Sequence, residues 1–308
     1  MAQIRPLSAE LQKIACEDLG EVPARIPEDL VALKLWIQQQ PHLHSRTDDQ
    51  FLIQFLRGCK HSLERAKEKL DHFYALRTKY PETFCATNID DPKFRAYFDQ
   101  GVVLPLPTPL NDCGPRILFA RFNYSTDQDI EKVLLPLNAM KENFMMNDPY
   151  AGIHGIVYVT DLAKATTGHL LQLTPGTVKR LMTYYEKSVP LRIKALCYIN
   201  APAAAEQFFK LLLSCISDKL KKRVVICSKD ISKIYDHIPQ KYLPEEYGGS
   251  NGSLDKVCAD YHKVWDESRE YFKQNSEYGT DERLRPGKPL DFDGVFGTGG
   301  SFRKINVD

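Results

Sequence analysis

Gly155-Ile156-Val157-Tyr158-Val159-Thr160-Asp161 is a short, nearly unbroken apolar run opened by a glycine and closed by an acid. A run apolar on both faces suits a strand buried between two layers, the usual setting of a parallel strand. The flanking sequence agrees. A helical pattern covers residues 130 to 146 before it, and another covers 175 to 188 after it. A strand at 194 to 199, helices from 203 to 222, and the strand Val224-Val225-Ile226-Cys227 continue the alternation. Upstream, Val102-Val103-Leu104 and Ile117-Leu118-Phe119-Ala120-Arg121-Phe122 read as two more strands. Alternation of this kind predicts an α/β unit with a mainly parallel sheet covered by helices.

The first ninety residues read differently, as short helices. Ser8 caps a helix that runs to Leu19 and stops at Gly20, and Pro27-Glu28-Asp29 opens one carrying Leu30, Leu33, Trp36 and Ile37. Asp48 or Asp49 caps Phe51 to Arg57, and Ser62 caps a segment with Leu63, Ala66, Leu70, Phe73 and Tyr74 on one stripe. The predicted division is a helical unit at 1–90, an αβα unit at 91–275 and a C-terminal extension at 276–308. Residues 254 to 273 form an amphipathic helix in the second unit. The extension is expected to lie on the domain through Phe292, Val295, Phe296 and Phe302.

Composition narrows the function. The chain has 308 residues, 43% of them hydrophobic, enough for an ordinary core. The N-terminus has no apolar leader, and the longest apolar runs fall far short of the roughly 20 residues of a spanning helix, so a soluble, cytosolic protein is expected. Eight cysteines without a Cys-x-x-Cys pair predict free thiols and neither a metal site nor a disulfide framework. A formal net charge of +1 argues against wholesale wrapping of nucleic acid, although a neutral total can hide a local patch. No catalytic motif and no cofactor cradle stands out. Gly294-Val295-Phe296-Gly297-Thr298-Gly299-Gly300 lacks the preceding strand and following helix that phosphate cradling needs, and reads as a turn. Asp161 ends a strand, where an acid more often caps the next segment than performs chemistry. The chain is read as not an enzyme.

A binding role is better supported. In a helix from Ala203 to Ile216, the residues Phe208, Phe209, Leu212, Leu213 and Ile216 make one broad apolar face. Core packing is the ordinary fate of such a face. Here Lys219, Lys222 and Arg223 come next at spacings that share a side if the helix continues, and Arg192 and Lys194 lie two apart on a strand. Four such cations against an anionic surface contribute about 4 kcal/mol, a reversible attachment weakened by salt.

Four ordered segments resemble the CRAL-TRIO family: Asp49-Gln50-Phe51-Leu52-Ile53-Gln54-Phe55-Leu56-Arg57-Gly58, the Gly155 to Asp161 strand, Pro190 to Lys194 with Ile199-Asn200-Ala201-Pro202, and Leu243-Pro244-Glu245-Glu246-Tyr247-Gly248-Gly249. The resemblance is to the branch containing α-tocopherol transfer protein and retinaldehyde-binding protein, with a closing Gly300-Ser301-Phe302-Arg303-Lys304 like that of insect members. It implies a helical N-terminal domain, then an αβα domain enclosing one small hydrophobic molecule, tocopherol-, retinoid- or isoprenoid-like, under a helical lid at 202 to 223. It further implies that Arg192, Lys194, Lys219 and Arg223 hold phosphoinositide headgroups on membranes, with Cys59 in place of a further basic position and Lys60 beside it. Lining residues carried over by the same resemblance are Leu135, Asn138, Phe144, Ile156, Tyr184, Tyr185, Val189 and Leu196, together with Phe208, Phe209, Leu212 and Leu213 of the lid. The tyrosines favour a ligand with a polar end. Other expectations from the same residues are a phospholipid-sensing or exchange module and a scaffold for an acidic protein partner.

Overall fold

The computed structural model describes residues 2–228, 230–288, 290 and 292. The expectations on Val295, Phe296 and Phe302, on the 294–300 glycines and on the 300–304 stretch lie outside the described residues.

Six helices and one short strand precede the main sheet. Helix α1 (Ala9–Leu19) starts at Ser8, whose side chain accepts from the Leu11 N–H, and α2 (Ile26–Gln38) begins with proline in its first turn. After β1 (Leu43–His44), Asp48 rather than Asp49 caps α3 (Asp49–Gly58) by accepting from Phe51 N–H. Helices α4 (Leu63–Lys79), α5 (Pro81–Phe84) and α6 (Pro92–Asp99) come after it. Phe51, Leu52, Ile53, Phe55 and Leu56 of α3 are all fully enclosed, while Gln50, Gln54 and Arg57, at i, i+4 and i+7, share its polar side.

The main sheet has the order β2 (Val103–Pro105), β3 (Arg116–Arg121), β4 (Ile156–Asp161), β5 (Ile193–Ile199), β6 (Val224–Ile226). Strand β2 runs antiparallel to β3, and the remaining pairs are parallel. Between β3 and β4 lie α7 (Ile130–Val133), α8 (Leu135–Asn147) and α9 (Pro149–His154). Between β4 and β5 lie α10 (Thr167–Gln172) and α11 (Pro175–Thr183), the latter opening into a π-helical turn at Tyr184–Ser188. Between β5 and β6 lie α12 (Glu206–Cys215) and α13 (Asp218–Lys221). Helices α14 (Leu254–Glu267) and α15 (Arg269–Lys273) lie beyond the sheet, and β7 (Gly279–Thr280) pairs antiparallel with β1.

The helix expected from Ala203 to Ile216 does not continue into the basic run. Ile216 is extended at φ −104° and ψ 157°, and Ser217 starts a new helix by accepting from Leu220 N–H. Lys222 therefore leaves the face shared by Lys219 and Arg223.

Buried apolar residues form one large cluster running from Ile26 to Phe292, a second under α12 and a small third around α1. The second is built from Leu162, Val178, Ile193, Leu196, Tyr198, Phe209, Leu212, Ile216 and others.

Candidate functional site

Where the first two clusters meet, the sheet is not filled. A cavity of about 150 Å³ lies between one face of β3, β4 and β5, helices α7, α8 and α11, and the inner side of α12. That is many times the roughly 10–15 Å³ that admits a single water. Alternation along the strands decides which side chains reach it. Ala120, Thr160 and Tyr198 are cross-strand neighbours in register, as are Tyr158 and Leu196, and all five line the wall. The β4–β5 register shifts between Ile156 and Val157, so Ile193 and Leu196, three apart, both line the cavity.

Of the residues expected to line it, Tyr185, Leu196, Phe208 and Leu212 do. Phe208 and Leu212 hang from α12, which covers this side of the cavity. The others stand elsewhere. Tyr184 stacks on Phe84 at 4.2 Å and 24°, and Ile156 is buried at the start of β4. Asn138 donates to the Thr83 carbonyl at 2.8 Å, and Phe144 lines a separate groove with Tyr261 and Asn143. Leu135 packs on the large cluster, Phe209 is buried with its ring 5.1 Å from that of Tyr198, and Leu213 is half-buried on the α12 cluster. Val189 lines the neighbouring cleft instead. On α8 the cause is a one-residue phase error: Leu134, just before the helix, and Leu137 line the wall in place of Leu135 and Asn138.

Arg192, Lys194, Lys219 and Arg223 all line that cleft, an open depression of about 430 Å³. Lys60, Arg65 and Lys69 join them, residues that sequence spacing did not connect. Cys59 is enclosed, while Lys60, in a left-handed conformation at φ 54°, reaches the cleft. Two glycines bring the walls together. A Cβ on Gly58 would collide with the Pro190 carbonyl, and one on Gly155, at φ +91°, with the Arg192 carbonyl. Arg192 is then fixed by donating to the Arg57 carbonyl at 2.9 Å and to the Ile153 carbonyl. Arg223 donates to the Ile193 carbonyl, and Lys69 to the carbonyls of Glu186 at 2.6 Å and Val189 at 3.1 Å.

Among the described residues, none of these seven cations is in a salt bridge. Burial and then the neighbouring Arg192 and Arg223 pull Lys194 below its usual value, and burial and then Arg223, Lys60 and Arg65 do the same to Lys219. Burial brings Lys69 down to about 8 and Arg192 to about 10. Of the two acids that line the cleft, Asp18 and Glu186, the second is occupied, accepting from Ser217 Oγ at 2.5 Å and Ser217 N–H at 3.0 Å. Seven cations thus outnumber these two acids, and the surplus of positive charge suits an anion with several charges. Tyr185 and Ile193 line both the cleft and the cavity, so the two compartments share a wall.

Asp161 is consumed by structure. It accepts from Ala163 N–H at 2.9 Å, Asn200 Nδ2 at 2.8 Å and the Tyr247 hydroxyl at 2.6 Å, tying three of the sequence motifs together. Among the described residues no group of three or more His, Cys, Asp or Glu is placed to hold a metal, and no helix is long and apolar enough to cross a membrane.

Comparison with known proteins agrees with this architecture. Residues 113–249 match the CRAL/TRIO domain, and residues 22–94 match the domain described as Pinta-like, UBA domain. The alpha-tocopherol transfer protein-like protein of Mus musculus is 26% identical over 256 residues, 81% of this chain and 72% of its own length. Clavesin-2 of Mus musculus is 24% identical over 297 residues, 92% of this chain and 86% of its own. The crystal structure of Sfh5 overlays with a TM-score of 0.48 at 12% identity, across 86% of this chain and 100% of that one. Residues 113–249, the stretch that carries β3 to β6 and the Asp161 junction, are thus similar to the CRAL/TRIO domain.

Proposed function

We propose that this protein binds one small hydrophobic molecule in the cavity under α12 and exchanges it at phosphoinositide-containing membranes, working as a peripheral, cytoplasmic lipid-transfer protein rather than as an enzyme. The observation that carries the reading is the shared wall: an apolar cavity and an unpaired cationic cleft are separated by Tyr185 and Ile193. The name of the mouse relative, alpha-tocopherol transfer protein-like, supports transfer of a hydrophobe in general terms.

In this reading Arg192, Lys194, Lys219 and Arg223, with Lys60, Arg65 and Lys69, take the headgroup. Their anion neutralises the mutual repulsion and draws the α12 side of the molecule onto the lipid surface. Helix α12 turns about its two non-helical ends, near Pro202 and at Ile216–Ser217, and Phe208 and Leu212 leave the cavity for the bilayer as cargo passes.

Solvent extraction and mass spectrometry of the purified protein should find a bound hydrophobe. Lys219→Ala with Arg223→Ala should weaken flotation with phosphatidylinositol bisphosphate vesicles by about tenfold or more, at ~1 kcal/mol per cation, and reduce its salt dependence, while cargo loading stays intact. Flotation that is unchanged in the double variant, or independent of phosphoinositide, would refute the membrane role.

A further inference from the structure

Lys60 and His61, just past the end of α3, are consecutive residues other than glycine in the left-handed region, each at φ 54°. A β-carbon makes that conformation costly, so two in a row persist only where the surroundings hold them. The backbone accounts for the first. Lys60 N–H donates to the Arg57 carbonyl at 3.1 Å and His61 N–H to the Leu56 carbonyl at 2.7 Å. This paired closure of a helix end calls for a left-handed residue, usually glycine, at the place of Lys60. His61 lies one residue beyond, where the motif makes no such demand.

The His61 side chain supplies the remaining hold. Its ring is 9% exposed, with Nε2 3.3 Å from Glu21 Oε2 and Nδ1 3.6 Å from Asp29 Oδ2, so one nitrogen faces each carboxylate. Glu21, in the link between α1 and α2, is itself pinned by Arg57 at 2.7 Å, and Asp29 sits in the first turn of α2. Three segments of the N-terminal helices thus meet on one imidazole.

The same turn forms part of the cleft. Gly58 brings it against the Pro190 carbonyl, the Arg57 carbonyl accepts from Arg192 at 2.9 Å, and Lys60 lines the cleft while Cys59 is buried. The Lys60 charge is felt there. Burial is the first cause that lowers Lys194 and Lys219, and Lys60 is among the cations that lower both further. Returning Lys60 and His61 to the right-handed region would redirect the chain, and with it the bond from Cα to Cβ that aims the Lys60 side chain.

We infer that His61 is a positioning residue of the cleft: held between Glu21 and Asp29, it keeps the Lys60–His61 turn left-handed and so keeps the Lys60 ammonium beside Lys194 and Lys219, where a polyphosphorylated headgroup is received. This rests on the anion reading of the cleft and adds to it a residue that does not touch the anion.

The test is a double-mutant cycle on the full chain, with inositol hexakisphosphate as the soluble probe and titration calorimetry at pH 7 and low salt as the readout. Lys60→Ala should weaken binding by about fivefold, the loss of one cation near an anionic group. His61→Ala should weaken it by about threefold to fivefold. The double variant should bind no more weakly than Lys60→Ala alone, because the second change removes the hold on a charge that is already gone. Losses that multiply in the double variant, or a His61→Ala protein that binds like the wild type, overturn the inference, since a merely structural histidine gives one or the other. A Lys60→Ala protein with wild-type affinity overturns it too. Wild-type protein that does not bind the probe at all overturns the anion reading of the cleft beneath it. Should His61→Ala not fold, His61→Gln keeps a polar side chain whose single amide does not span both carboxylates, and the same cycle with Lys60→Ala decides between the same outcomes.

Discussion

Glu21 shows how a single side chain far from the cavity supports the cleft. It accepts from Arg57 Nε at 2.7 Å and Nη2 at 3.2 Å and pairs with His61 at 3.3 Å, and the Arg57 carbonyl in turn holds Arg192. Burial opposes ionisation of Glu21, but the hydrogen bonds from His61 and Arg57 outweigh it and hold the carboxyl at about 2. The folded value lies below the unfolded one of 4.5, so the contribution is complete above pH 4.5 and is lost as pH falls towards 2. It amounts to about 3 kcal/mol. Glu21→Gln should lose a comparable amount at neutral pH by leaving Arg57 unpaired, and its urea midpoint should vary less between pH 5 and 3 than that of the wild type. A variant with the wild-type acid slope would assign the effect elsewhere. None of this was legible from spacing, because Glu21 and Arg57 are 36 residues apart and neither stands out alone. The glycines were legible as motif members, yet their reason, contact with the Pro190 and Arg192 carbonyls, is visible only in three dimensions.

At the scale of elements, periodicity gave the strands well and the helix phases less well. A buried strand declares itself by apolar residues on both faces, so β4 and β5 could be placed to within a residue or so. Helix α8 reads as one pattern with α7, but Leu134 and Pro136 interrupt it and reset the phase by about a third of a turn. The break after α12 was also written in the chain as Ser217-Asp218, a helix start inside a greasy and basic run. Ser217 does two things at once, capping α13 and donating to Glu186 on the π-helical turn. Ser217→Ala removes the cap and the Glu186 bond, at a cost of about 1–2 kcal/mol confined to this joint. Amide hydrogen exchange should then accelerate across residues 206 to 221 and release of bound cargo should quicken, while β3 to β5 stay protected. Exchange in α12 and α13 that matches the wild type would mean the joint does not govern lid opening.

Across the whole molecule, charge is arranged so that the total conceals the site. A net charge of +1 coexists with a cleft where seven cations meet two acids and which draws on the loop after α3, α4, the start of β5, α13 and the α13–β6 link. Sequence order could link Arg192 with Lys194 and Lys219 with Arg223, but only packing of α3 against the Pro190 segment adds Lys60, Arg65 and Lys69. Repulsion within this group is a standing cost of the folded state, because an unfolded chain disperses the same charges. A soluble polyanion such as inositol hexakisphosphate should bind the native protein and stabilise it by about 2.7 kcal/mol at 100 times its Kd, a rise in Tm of about 4 °C. Added sodium chloride should erase much of the rise, since the cleft is open to solvent. The rise should also shrink as pH passes 8, where Lys69 loses its proton, its folded value lying below the ordinary 10.5. Lys219→Ala with Arg223→Ala should be no less stable than the wild type without the polyanion and should gain less from it. A double variant that melts markedly lower on its own would show that these cations hold the fold together rather than await a partner, and the headgroup assignment would fall with that result.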